Sequence, residues 1–79
     1  MTNLEKYNSI FIESFGVDLG ALNGELVYQS ITEWDSVGHM ALIAAIEEQF
    51  DIFIDIDDII EFGSYTIGMD ILKKYEVQM

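Results

Sequence analysis

The chain has 79 residues, no cysteine, no proline and no arginine, and its fifteen carboxylates face only three lysines, for a formal charge of −12. That length supports one small domain with a core near the lower limit of sufficiency, and the composition excludes disulfide staples and Cys/His zinc sites. The acidic balance repels nucleic acid and anionic lipid and favours protein partners that carry basic patches.

With 51% hydrophobic residues the chain is rich enough in apolar side chains to fold. No positively charged leader precedes an apolar run, and no apolar stretch is long enough to cross a bilayer. The expectation is a single domain over residues 1–79, monomeric and cytoplasmic. The first element is a helix over 3–15: Thr2 and Glu5 have capping-box spacing, and Leu4, Tyr7, Phe11 and Phe15 recur at helical steps. Gly16 is its stop.

Residues 16–35 hold Gly16, Gly20, Asn23 and Gly24, which break regular structure, and Ser30 with Glu33, which have the spacing of one capped turn. Leu19, Leu22, Leu26, Val27 and Ile31 are too apolar for a solvated linker, so a long loop pinned to the core by those side chains is expected. A second helix runs from Ser36 to Phe50. Leu42, Ile43, Ile46 and Phe50 fall on one side with His39; Val37, Met40, Ala41, Ala44 and Glu48 fall on the other. The bulky side faces the core, and the thin side is a candidate partner surface.

The stretch DIFIDIDDIIEFG permits a strand by alternation, but a lone strand has no partner. A turn and a short helix at 56–62, stopped by Gly63, fit better, and no lysine lies near its acids in sequence. Ser64 caps the last helix, in which Ile67, Ile71, Leu72 and Tyr75 share a face. Gly68 lowers its intrinsic stability by about 1 kcal/mol relative to alanine, while Lys73 and Lys74 suit its C-terminal end. The fold class is therefore all-α: a four-helix bundle with three longer helices, one short third helix and a long first loop.

The chemistry concentrates at Asp35-Ser36. Asp35 is a strong N-cap, which places Ser36 at the first helical position beside free backbone N–H groups, where a phosphate is favoured. Catalytic use of Ser36 needs a base and an oxyanion hole, and the one histidine, His39, faces the core side without an evident orienting carboxylate. Read alone, the dipeptide favours plain helix capping, since Asp-Ser before a helix is common. Calcium binding by Asp51, Asp55, Asp57 and Asp58 fails the EF-hand pattern in both registers, so no metal site is expected. Trp34 reads as a lid over the loop and the start of the second helix.

The run WDSVGHMALIAAIEEQFDI resembles the signature of acyl carrier proteins, carried here by Asp35, Ser36, Val37, Leu42, Ile46, Glu47, Glu48, Phe50 and Ile54. The resemblance to a stand-alone carrier spans nearly the whole chain. It implies an acyl-carrier-like bundle and a 4′-phosphopantetheine arm on Ser36, whose thiol holds acyl groups as thioesters, with Asp35 beside the attachment point. It implies as partners a phosphopantetheinyl transferase, an acyl- or aminoacyl-loading ligase or transferase, and downstream synthase enzymes of fatty-acid, polyketide or other acyl biosynthesis. Val37, Met40, Ala44, Glu47 and Glu48 are the expected partner-recognition residues, and no catalytic residue is implied. Val37, Gly38, Ala41, Asp55 and Ile56 depart from the better-known fatty-acid carriers and point toward a specialised carrier. An aminoacyl or peptidyl carrier and an unmodified acidic interaction module are the alternatives.

Overall fold

A computed structural model describes residues 1–79. Four helices follow one another: α1 (Asn3–Phe15), α2 (Ser36–Phe50), the short α3 (Ile56–Glu61) and α4 (Tyr65–Lys74). The protein is all-α, and none of the helices is long and apolar enough to cross a membrane.

The local signals act as their chemistry dictates. Thr2 Oγ1 accepts from the Glu5 amide at 3.1 Å and the Thr2 amide donates to Glu5 Oε1 at 2.9 Å, which closes the capping box. The Thr2 amide, and then its hydroxyl, hold the Glu5 carboxyl below the usual carboxylate range. Gly16 ends α1 with φ 66°, a left-handed conformation that glycine adopts without a Cβ penalty. Asp35 caps α2 and Ser64 caps α4 through their side chains. α2 ends at Asp51, also left-handed, with φ 53°.

The core is aromatic. Trp34, Tyr7, Phe11 and Phe62 are wholly buried beside Leu42, Ile43, Ile46 and Leu72. Phe11 meets Trp34 edge-on at 5.6 Å, and Phe15 stacks on the indole at 5.2 Å. Such pairs add about 0.5–1.5 kcal/mol each beyond their burial. Trp34 is thus a central core residue rather than a lid. α1 meets this core through Tyr7, Ile10, Phe11 and Phe15, while Leu4, in its first turn, is exposed.

The long loop is held by backbone as much as by side chains. The Tyr28 amide donates to Gly63 O and the Tyr65 amide to Leu26 O, each at 2.9 Å, forming an isolated antiparallel bridge at Val27 and Ser64. Leu26 is buried and Leu22 and Ile31 pack at the core edge, but Leu19, in a 3₁₀ turn at Leu19–Ala21, and Val27 remain exposed. Ser30 does not form a capped turn with Glu33; its Oγ accepts from the Val27 amide at 3.1 Å. Gly63 is not a left-handed helix stop, since Phe62 caps α3 and Gly63 instead supplies the carbonyl for Tyr28.

α4 buries Tyr65, Gly68, Ile71 and Leu72, whereas Ile67 is exposed. Gly68 sits where a Cβ would collide with the Tyr7 hydroxyl and the Phe62 ring. Its value is close approach, which helix propensity alone does not register. The acids of α3 also have a cation after all. Lys74 Nζ donates to Asp58 Oδ1 at 2.5 Å and Tyr75 Oη to Asp58 Oδ2 at 2.6 Å, while the Asp55 amide donates to Tyr75 Oη at 2.9 Å. Lys74 was distant in sequence and is adjacent in space. Its hydrogen bond, followed by that of Tyr75, holds the Asp58 carboxyl below its usual range, and the same contact raises Lys74.

Candidate functional site

Ser36 is the first residue of α2 and is exposed. Asp35 Oδ1 accepts from the Gly38 amide at 2.8 Å, and Asp35 O accepts from the His39 amide at 2.7 Å. The Ser36 and Val37 amides have no acceptor in the chain, so two donors stand free beside the serine at the positive end of the helix dipole. Gly38 is compelled to lack a side chain, because a Cβ there would run into the Glu33 carbonyl. That contact lets the turn before α2 lie directly on its first turn and fixes where the helix begins.

His39 is half-buried, and both ring nitrogens are engaged. Trp34 Nε1–H, which can only donate, gives its proton to His39 Nδ1 at 2.9 Å. The neutral ring therefore carries its proton on Nε2 and donates it to Ile59 O at 2.8 Å. His39 thus ties α2 to α3 and has no free nitrogen for Ser36, so the serine lacks a base within this chain. The hydroxyl that does reach it belongs to Tyr28, whose Oη lies 3.1 Å from Ser36 Oγ.

Ser36 stands at the mouth of an open cleft of about 380 Å³ between α2 and α3. Met40, Ile56, Ile59, Ile60 and Phe62 give it apolar walls, and Tyr28, Ser36 and His39 supply its polar edge. Sequence reasoning missed Tyr28, Ile56 and Ile60 as members of this place. The signal for the isoleucines was their spacing of four on a short helix whose acidic side is turned elsewhere; nothing local marks Tyr28.

The expected partner residues divide in two. Val37, at 79% exposure, and Met40, at 54%, stand out on the α2 surface, with Ala44 and Glu48 exposed as well. Glu47 is half-buried, and its carboxylate accepts from the Ile54 amide at 2.9 Å, so it also braces the turn between α2 and α3. Asp35 is exposed although its carboxylate caps the helix.

The fold and site define a small helical bundle that presents an exposed serine, at the start of a helix, beside an apolar cleft. A comparison of the sequence with models of known protein families finds no match.

Proposed function

We propose that the protein is an acyl carrier, non-catalytic and cytoplasmic, with a 4′-phosphopantetheine arm esterified to Ser36. The observation that carries this reading is the placement of an exposed Ser36, beside two free backbone amides, at the mouth of the apolar cleft. A phosphodiester on Oγ suits that position electrostatically. The thiol of the arm supplies the thioester chemistry that a chain without cysteine lacks. Asp35 shapes the attachment point by capping α2, and Ser36 has no base of its own, in keeping with modification by a separate phosphopantetheinyl transferase.

The walls of the cleft favour an acyl over an aminoacyl cargo, since Met40, Ile56, Ile59, Ile60 and Phe62 offer no partner to a charged amine. Val37, Met40 and Ala44 form the apolar strip that loading ligases or transferases and downstream synthase enzymes would contact. Glu48, with Asp35 and the rim of Glu47, draws their basic patches to α2. The test is intact mass after incubation with coenzyme A and a broad-specificity transferase. The wild type gains the mass of phosphopantetheine and Ser36→Ala does not. A wild type that stays unmodified while a reference carrier in the same tube is converted refutes the reading.

A further inference from the structure

We infer that Tyr28 is the positioning residue for Ser36, fixing the Oγ over the cleft before modification and bonding the phosphodiester after it. The inference rests on the carrier reading for its second half only. Tyr28 Oη is the one side-chain atom hydrogen-bonded to Ser36 Oγ, at 3.1 Å. His39 has both ring nitrogens engaged by Trp34 and Ile59, and the Asp35 carboxylate spends Oδ1 on the Gly38 amide.

Tyr28 is itself held firmly. Its amide is bonded to Gly63 O at 2.9 Å, and its ring stands edge-on to His39 at 5.4 Å and to Trp34 at 6.5 Å. The phenol is therefore placed by the loop bridge and the core together, and it transmits that placement to a side chain that is otherwise free in solvent. Either hydroxyl can donate in the unmodified protein; with the phenol donating to Ser36 Oγ, the serine proton points away, open to a base on the transferase.

In the modification step the Oγ forms a bond to the β-phosphorus of coenzyme A. The bond from that phosphorus to the bridging pyrophosphate oxygen breaks, adenosine 3′,5′-bisphosphate leaves with the electron pair, and the serine proton passes to the transferase. The resulting ester oxygen has no proton. Only a donor can then stay bonded at this place, and Tyr28 is one.

The test compares wild type with Tyr28→Phe, which keeps the ring and removes the oxygen. In the unmodified proteins, Hα–Hβ coupling constants report the Ser36 χ1 populations. One rotamer is expected for wild type and averaged couplings for Tyr28→Phe, with melting temperatures that agree. With the transferase, Tyr28→Phe is expected to lower kcat about fivefold, as loss of orientation does, and to leave KM within about twofold because the α2 surface is unchanged. In the modified proteins the ³¹P resonance is expected to shift between the two. Unchanged Ser36 couplings, or a kcat within twofold of wild type, overturn the inference. If no transferase modifies the wild type, the carrier reading falls, and the couplings alone then decide whether Tyr28 holds the serine.

Discussion

Replacing Gly68 with alanine sets two physical effects against each other. In an exposed helix the change stabilises by about 1 kcal/mol through backbone entropy. Gly68 is buried, however, and the new Cβ would overlap the Tyr7 hydroxyl and two atoms of the Phe62 ring, the farther of them at 2.6 Å. Both neighbours are wholly buried, and Tyr7 is further restrained because its Oη donates to Tyr65 O at 2.7 Å. Overpacking of this kind costs about 1–3 kcal/mol. Pushing the phenol off its acceptor adds about 1–3 kcal/mol for a buried hydroxyl left unpaired. After the propensity gain is subtracted, a net loss of about 1–5 kcal/mol is expected, and its midpoint of about 3 kcal/mol lowers the melting temperature by about 12–24 °C in a domain of this size. Gly20→Ala is the control, since nothing lies within 4 Å of its Cβ and its φ is not positive. It should leave stability within about 1 kcal/mol of wild type. Urea and thermal melts of the two variants read the difference. A Gly68→Ala protein as stable as wild type, or more so, would show that α4 is free to move off Tyr7 and that the close approach is not required.

Asp58→Asn tests the one partnered acid of α3. The folded Asp58 carboxyl lies below its unfolded value, so its contribution is fully present above about pH 4 and is lost as the pH falls through the lower folded value. Lys74 is raised, so its contribution is present below about pH 10 and is lost as the pH rises through the folded value. Urea midpoints of wild type and Asp58→Asn should therefore converge at both extremes, and parallel curves would contradict the pairing. Glu47→Ala should cost about 1–2 kcal/mol by releasing the Ile54 amide, whereas Glu48→Ala should change stability by less than about 0.5 kcal/mol. Glu48→Lys should instead slow transferase association, with the deficit shrinking as salt rises. His39→Ala leaves the buried Trp34 N–H and the Ile59 carbonyl without partners and should cost about 2–4 kcal/mol, read from urea midpoints.

The helices were legible because each carries its own punctuation. Thr2, Asp35 and Ser64 announce helix starts by side-chain chemistry that acts within three residues, and Gly16 announces a stop in the same way. Ser36 was legible for the same local reason. What escaped the sequence is whatever joins distant residues. Lys74 finds Asp58 only after α4 folds back along α3. Gly68 gains its meaning from Tyr7, in the first helix, and from Phe62, outside α4 at the end of α3. The role of Tyr28 depends on a bridge between the long loop and the start of α4. Helical periodicity at Leu4 and Ile67, and apolarity at Leu19 in the loop, also overcounted the core, because all three side chains stay exposed to water.

If Ser36 is the attachment point, one peptide carries the whole modification. Cleavage after Glu33 and Glu47 releases residues 34–47, in which Ser36 is the only hydroxyl-bearing side chain. After incubation with coenzyme A and a transferase, mass spectrometry of that peptide should show the added phosphopantetheine and its characteristic loss on fragmentation. Added mass on another peptide, or unmodified residues 34–47 beside a fully converted reference carrier protein in the same reaction, would rule Ser36 out as the attachment point.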